Sequence, residues 1–249
     1  MTQRYKLTLE YDGASYAGWQ VQADRMSVQQ AIEDAIEKFC GERRPTITAG
    51  RTDSGVHATA QVIHVDLPKN EDPFRVMQGI NFHLVIAGHK TVAIHNVEAV
   101  DETFNARFSA LRRYYRYRII HRPARLGLNA GRALQVAGDL NIDAMRIAAA
   151  QLVGHHDFSS FRDAQCQAKS PMRTLETLNI NILGNEIHIE TQARSFLHHQ
   201  VRIMVGTLLK IGKERIKAED MEKILQAKER AAAGPTAPPE GLYLVGVEY

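Results

Sequence analysis

The chain has 249 residues, of which 44% are hydrophobic and 24% are charged, and its formal net charge is +3. This composition indicates a soluble globular protein and excludes an intrinsically disordered chain. No apolar run reaches the roughly 18 residues of a membrane span, and the N-terminus lacks the apolar core of a signal peptide. Two cysteines, Cys40 and Cys166, are too few for a disulfide framework. We therefore expect a cytoplasmic protein with both thiols reduced.

The first hundred residues predict strands that alternate with two helices. Apolar and polar residues alternate over 4–11, which is typical of a strand with one buried face. Ser27 and Gln30 form a capping box that starts a helix, and Gly41 ends it. Further strands are predicted at 47–49, 61–67 and 91–100, and a second helix at 73–84. This order predicts an α+β layer with its helices on one side of the sheet.

Two glycine-containing polar segments interrupt this pattern. Residues 11–20, Y-D-G-A-S-Y-A-G-W-Q, are predicted to form a loop, either a hydrophobic plug or a substrate-binding segment, and we assign them no chemistry. Residues 49–58, A-G-R-T-D-S-G-V-H-A, place Asp53 between Gly50 and Gly55, just before a predicted strand. Such glycines favour a tight turn in which the backbone approaches another group closely. Asp53 is therefore either a turn aspartate that bonds its own backbone or a reactive carboxylate on a rigid loop.

From Thr103 to Gly138 the chain contains no Asp or Glu, yet it is rich in arginine and aromatic residues. The eight arginines are Arg107, Arg112, Arg113, Arg116, Arg118, Arg122, Arg125 and Arg132, and the aromatic residues include Tyr114, Tyr115, Tyr117, Phe104 and Phe108. This combination can clamp phosphates and stack bases. A solvated strand face above packed tyrosines is the alternative, but such a face normally mixes charge signs. We therefore predict that this stretch binds nucleic acid.

The rest of the chain predicts a second α+β layer. We expect helices at 142–153, 196–211 and 218–228, a hairpin of strands 173–183 and 186–192 with a type II′ turn, and a closing strand at 242–249. Residues 155–173 are predicted to form a loop, and loops of this length are uncommon unless they are functional. Within it we expect Phe158 and Arg162 to help hold a substrate, and a mobile surface loop is the alternative.

Arg202 lies among the apolar residues of F-L-H-H-Q-V-R-I-M-V-G. A buried arginine needs a carboxylate partner, because an unpaired buried charge is costly. The alternative is that Arg202 extends its charged end to solvent. Two pairs of adjacent histidines also occur in this half, at 155–156 and 198–199. Because neighbouring side chains point in different directions in strands and helices, and no H-E-x-x-H motif is present, we predict no metal site.

The motif G-R-T-D-x-G-V-H-A, matched by residues 50–58, resembles the catalytic motif of the tRNA pseudouridine synthase A family. The resemblance extends over nearly the whole chain. It includes Y-x-G-W-Q at 16–20, F-S-A-x-x-R-x-Y-R-Y at 108–117 and H-H-x-V-R-x-x-V-G at 198–206. It implies the pseudouridine synthase fold: α+β, with two α/β-layer domains, mainly antiparallel sheets and a basic active-site cleft between them. From the sequence we place the domain boundary between residues 104 and 105, where the acidic residues end and the basic stretch begins, so that the domains are 1–104 and 105–249.

The resemblance also implies roles for individual residues. Asp53 is the nucleophile, Arg202 pairs with it and keeps it ionised, and Arg51 helps to extrude the target nucleotide. The tyrosine that stacks on the target base and takes part in proton transfer falls at Tyr115. Tyr114 stands where the family often has arginine, so it stays an alternative.

Two further residues are expected to contact the substrate. Leu244 resembles an apolar residue of the base pocket, and an ordinary core leucine is the alternative. Arg113 matches the arginine of the tyrosine motif, and we count it among the substrate-binding residues.

The resemblance implies isomerisation of uridine to pseudouridine at positions thirty-eight to forty of the tRNA anticodon arm. No cofactor is expected, because the reaction needs no redox partner and no external energy. tRNA and a second copy of the chain in a homodimer are the expected partners. Two alternatives remain. One is a non-catalytic RNA-binding protein, and the other is a metal-dependent nuclease that uses Asp53, His57 and His64.

Overall fold

The computed structural model describes residues 2–249. Its strands are β1 (Gln3–Tyr11), β2 (Ile47–Thr48), β3 (His57–Leu67), β4 (Val92–Val100), β5 (Arg112–His121), β6 (Leu134–Val136), β7 (Gly154–Asp157), β8 (Met172–Leu183), β9 (Glu186–Ala193) and β10 (Leu242–Glu248). Its α-helices are α1 (Val28–Cys40), α2 (Pro73–Ile86), α3 (Ile142–Ala150), α4 (Gln200–Gly212) and α5 (Asp220–Ala227). No helix among these residues is long and apolar enough to cross a membrane.

The described chain divides into two compact units. The first comprises the residues up to Leu111 together with Leu244–Tyr249, and the second comprises Arg112–Tyr243. The C-terminal residues thus return to the first unit. Both units combine helices with mainly antiparallel strands, which confirms the α+β prediction.

In the first unit the strands lie in the order β4, β1, β3, β10, with β2 also paired to β3. β1 is antiparallel to both β3 and β4. The predicted alternation of β1 is confirmed, since Tyr5, Leu7 and Leu9 are fully buried. These side chains bury apolar surface along one face of the strand, which is the main source of stability for such a layer.

The caps predicted for α1 are confirmed. The Ser27 hydroxyl oxygen accepts a hydrogen bond from the Gln30 N–H at 3.1 Å, and Gly41 ends the helix in the left-handed conformation at φ 80°. Ile32 and Ile36 on its apolar face are fully buried. α2 starts at Pro73 as predicted and extends two residues beyond the predicted end, to Ile86.

In the second unit β9 lies between β5 and β8 and is antiparallel to both. The predicted hairpin turn is present between Leu183 and Glu186, where Gly184 has φ 63° and Asn185 is not among the positive-φ residues. This matches the type II′ turn that was predicted. β6 joins the other edge of β5 and is parallel to it.

Two predictions for this unit were wrong. Residues 155–173 are not one long loop, because β7 pairs with the start of β8 through His155 with Thr174 and His156 with Arg173. α4 begins at Gln200 rather than at 196, because His199 has φ 60°, a left-handed conformation that a helix cannot continue.

Candidate active site

Asp53 lies on a tight turn that leads directly into β3. The Val56 N–H donates to the Asp53 carbonyl at 3.1 Å, and Gly55 has φ 79°, the conformation that the third position of a type II turn requires. The Asp53 side chain is half-buried, whereas Arg51 is exposed. The predicted loop before a strand is therefore confirmed. The turn positions a carboxylate that is still within reach of a ligand.

The segment 12–19 holds this turn through close backbone contacts. The Trp19 N–H donates to the Thr52 carbonyl at 2.9 Å, and the Ser54 hydroxyl donates to the Tyr16 carbonyl at 3.2 Å. Gly18 has φ 91°, and a Cβ there would lie 2.8 Å from the Thr52 carbonyl oxygen. Only glycine allows this approach. No chemistry and no such contact were predicted for this segment from the sequence, and its two glycines are the signal that could have revealed the contact.

Gly13 makes a second close approach at the other end of the turn. A Cβ on Gly13 would lie 2.0 Å from the Val56 carbonyl oxygen, and the Gly13 N–H donates to Nδ1 of His57 at 3.1 Å. Because Nδ1 accepts this hydrogen bond, it carries no proton of its own in this arrangement. Its 3.2 Å approach to Asp12 is therefore not an ion pair. His57 is buried and supports the turn rather than facing a ligand.

A buried polar group lies beneath the turn. The Tyr11 hydroxyl is 2.8 Å from the Thr52 hydroxyl. The Gln61 amide donates to the Gly50 carbonyl at 2.7 Å and to the Tyr11 hydroxyl at 3.3 Å. Burial raises the pKa of Tyr11 to about 12, so this hydroxyl stays protonated at neutral pH. The backbone on both sides of Asp53 is thus fixed by side chains of β1 and β3.

The alternation predicted for the tyrosine strand is confirmed. Arg113, Tyr115 and Tyr117 occupy the buried face of β5, and Tyr114 lies on the opposite face. The Tyr115 ring meets Phe196 edge-on, with centroids 5.2 Å apart. The Tyr117 hydroxyl donates to the Pro238 carbonyl at 2.8 Å, and burial raises the pKa of Tyr117. The Arg113 guanidinium donates to the carbonyl of residue 194 at 2.6 Å.

The other arginines of β5 are paired with carboxylates of the neighbouring strands. Arg112 contacts Glu176 at 2.5 Å, Arg116 contacts Glu190 at 2.7 Å and Arg118 contacts Glu186 at 2.8 Å. We call these three pairs the Arg–Glu ladder. The absence of acids between 103 and 138 was therefore misleading, because β8 and β9 supply the opposite charges. The ladder has the mixed charge signs of a solvated strand face, which was the less favoured interpretation of these arginines.

Two residues expected to contact substrate are fully buried. Phe158 has no exposed surface and packs edge-on against Phe161, with ring centroids 6.1 Å apart. Leu244 in β10 is also fully buried. Both residues therefore pack as core residues in this structure, and their contact with substrate stays a prediction. Arg162 is half-buried and donates to the carbonyls of Cys166 and Ala168 at 2.8 and 2.7 Å, which shapes its own loop.

Arg202 lies in the first turn of α4 and is half-buried. Its Nε donates to the Ala237 carbonyl at 2.8 Å, and the Ala237 N–H donates to the Arg202 carbonyl at 3.0 Å. This reciprocal pair fixes the start of α4 against the segment before β10. The side chain is therefore held in place rather than extended freely into solvent.

The prediction that His198 and His199 point apart was wrong. The two rings lie with centroids 3.9 Å apart and planes tilted by 31°. Nδ1 of His199 is 2.8 Å from Asp163, and Nδ1 of His198 is 3.7 Å from the same carboxylate. The left-handed backbone at His199 brings the rings together, because these residues precede the helix instead of belonging to it. The prediction of no metal site stays a prediction.

Known proteins resemble this chain over its full length. A family model described as tRNA pseudouridine synthase matches residues 148–249. The chain is 50% identical over 246 residues to the tRNA pseudouridine synthase A of Bartonella quintana (strain Toulouse), a match that covers 99% of both chains. It is 51% identical over 246 residues to the enzyme of the same name from Brucella ovis, covering 99% of this chain and 98% of the relative. The chain therefore belongs to the tRNA pseudouridine synthase A family.

Proposed function

We propose that this protein isomerises uridine to pseudouridine at positions thirty-eight to forty of the tRNA anticodon arm. The observation that carries the proposal is that the chain is 50% and 51% identical, over 246 residues, to two proteins named tRNA pseudouridine synthase A. The turn that holds Asp53 supports it, since a nucleophile needs a fixed backbone and a partly accessible side chain.

The reaction breaks one bond to the sugar and forms another. Asp53 acts as the nucleophile: its carboxylate bonds transiently to the substrate, the bond between N1 of uracil and C1′ of ribose breaks, and the bond to Asp53 breaks again before the product leaves, so that the carboxylate is regenerated. The base then turns and bonds to C1′ through C5. The C5 proton leaves and N1 gains a proton, so substrate and product have the same composition and no cofactor is consumed. Arg51, exposed beside the turn, helps to extrude the nucleotide, which must leave the base stack to react.

The remaining residues of the proposed site support the base and the nucleophile. We assign base stacking to Tyr115 rather than Tyr114, because Tyr114 lies on the opposite face of β5, which carries the Arg–Glu ladder. Arg202 is proposed to form the ion pair with Asp53. Replacing Arg202 with Gln should then reduce the rate far more than replacing it with Lys, because Lys keeps the charge. Equal rates for the two variants would contradict this role.

Mapping of the modified base tests the function. Unmodified tRNA transcript is incubated with the protein, and pseudouridine is detected as a carbodiimide adduct that stops primer extension. Stops at positions thirty-eight to forty are expected. Stops elsewhere would contradict the positions, and no stops would contradict the reaction.

We also propose that the protein acts in the cytoplasm as a homodimer, which rests on family membership. A molar mass from light scattering of about twice 27.9 kDa is expected. A mass equal to that of the single chain would contradict the dimer.

The nuclease alternative is disfavoured by two hydrogen bonds. His57 and His64 each use Nδ1 to accept a backbone N–H, from Gly13 at 3.1 Å and from Ala106 at 3.0 Å. Both rings are buried. These histidines therefore serve the fold.

A further inference from the structure

The turn at residues 105–109 carries an exposed cation–aromatic pair that the proposed reaction does not use. The Phe108 side chain is 72% exposed, and the guanidinium carbon of Arg107 lies 5.3 Å from the centre of its ring. An exposed phenylalanine alone is common on protein surfaces. An arginine held over that ring gives the position both an aromatic face and a positive charge.

The backbone of this turn is closed by its own hydrogen bonds. Oδ1 of Asn105 accepts from the N–H groups of Arg107 and Phe108 at 3.0 and 3.1 Å. The Asn105 N–H donates to the Ser109 hydroxyl at 3.0 Å, and the Ser109 N–H donates to the Asn105 carbonyl at 2.9 Å. The backbone that carries the pair is thus fixed, so binding of a ligand does not need to order it.

The turn is also anchored to the core of the first unit. Ala106, the residue before the pair, is fully buried. Its N–H donates to Nδ1 of His64 at 3.0 Å, and its carbonyl accepts from the Tyr249 hydroxyl at 2.9 Å. Phe104 packs against the Tyr249 ring with centroids 4.8 Å apart. A buried anchor directly before two exposed side chains is the arrangement expected of a preorganised binding contact.

We propose that Arg107 and Phe108 form an RNA subsite, in which Phe108 stacks on an unpaired base of the tRNA and Arg107 contacts the neighbouring phosphate. This inference rests on the proposed function. Stacking on aromatic residues and arginine–phosphate contacts are how proteins bind single-stranded RNA.

A tryptophan placed at the subsite reports on stacking directly. Trp19 is the only tryptophan of the chain and is 1% exposed, so acrylamide will barely quench it. In Phe108→Trp, added tRNA should quench the emission of the introduced indole and protect it from acrylamide. Phe82→Trp is the matched control, since Phe82 is a 60% exposed aromatic residue on α2. The proposal would be overturned if tRNA left the emission of Phe108→Trp unchanged, or changed it only as much as it changes the emission of the control.

Affinity measurements test the two contacts separately. Phe108→Ala should weaken tRNA binding by about five- to a hundredfold, as expected for the loss of one stacked base. Arg107→Ala should lower the slope of log affinity against log salt by about one, as expected for one lost phosphate contact. Unchanged affinity in Phe108→Ala, with an unchanged melting temperature, would overturn the subsite.

Assaying the unaltered protein for pseudouridine formation distinguishes failure of the subsite from failure of the proposed function. If it forms pseudouridine but the introduced indole of Phe108→Trp does not respond to tRNA, the subsite alone is wrong. If it forms no pseudouridine, the proposed function fails, while the emission of that indole still shows whether the turn binds RNA.

Discussion

At the residue scale, the proposed site depends on glycines that let two loops touch. Gly18 combines φ 91° with backbone atoms of the Asp53 turn within 3.0 Å of the place where a Cβ would stand. The substitution Gly18→Ala therefore strains its own backbone and displaces the turn. We expect it to lower the free energy of unfolding by roughly 2–4 kcal/mol and to reduce the rate of pseudouridine formation further than this loss explains.

Gly41→Ala is the control for this prediction. Gly41 has φ 80° but nothing within 4 Å of the position of a Cβ. Gly41→Ala should therefore lower the free energy of unfolding by only about 1 kcal/mol and keep full activity. Chemical denaturation and rates measured on the folded fraction distinguish the two variants. Equal losses for both would contradict the close contact at the Asp53 turn.

His64 predicts a stability change with pH. Burial, and next the charge of Arg4, hold the pKa of His64 below its ordinary value. The unfolded chain therefore takes up a proton first, at a pH of about 6.5, and the folded state loses stability as the pH falls below that value. In His64→Asn the amide oxygen keeps the Ala106 contact but cannot titrate. Between pH 7 and 5 the free energy of unfolding, measured by chemical denaturation, should fall more steeply in the unaltered protein than in His64→Asn. Parallel curves for the two proteins would contradict this.

Residue types alone could not reveal the Arg–Glu ladder. The sequence between 103 and 138 lacks acids, and the partners Glu176, Glu186 and Glu190 lie far along the chain. Strand pairing brings these glutamates beside the arginines of β5. Because the sequence alone does not give this pairing, it does not show which arginines are neutralised. The faces of Tyr115 and Tyr117, in contrast, were predicted because alternation along a strand is local.

At the element scale, helices with strong local signals were predicted and elements made by distant contacts were not. α1 has its own cap residues at both ends, so its bounds follow from neighbouring side chains. β7 is polar and exists because it pairs with β8, and the start of α4 is set by the left-handed His199. Neither feature has a periodic signal.

The ladder on β5 predicts that its arginines contribute little to RNA binding. Arg116→Ala removes a pair whose side chains are 39% and 34% exposed, so solvent already screens it. We expect the unfolding free energy to fall by less than about 1 kcal/mol and tRNA affinity to change less than about twofold. Binding titrations at several salt concentrations measure this. A salt slope reduced by about one would show that Arg116 does contact phosphate.

At the scale of the whole molecule, the similarity to tRNA pseudouridine synthase A extends over 246 of the 249 residues. The fold class and the family were predictable because the motifs at Asp53, at the tyrosine strand and at Arg202 are long. The buried positions of Phe158 and Leu244 were not, because burial depends on packing of the complete chain. The predicted domain boundary between 104 and 105 stays a prediction.

The reaction predicts activity without a metal ion. Because the proposed isomerisation transfers no electrons and uses only protein groups, protein dialysed against a chelator should keep its full rate. The tRNA is folded with a polyamine so that its own need for divalent cations does not interfere. Activity lost on dialysis and restored by one added metal would contradict the proposed reaction and revive a metal-dependent mechanism.

The most direct test of the central claim is tritium release from tRNA that carries uridine labelled at C5, with the unaltered protein compared to Asp53→Ala. The C5 proton is lost in this isomerisation, whereas RNA binding and RNA cleavage leave it in place. We expect release by the unaltered protein and none by Asp53→Ala, which should still bind tRNA. Release by neither would contradict the proposed reaction, and release by both would show that Asp53 is not its nucleophile.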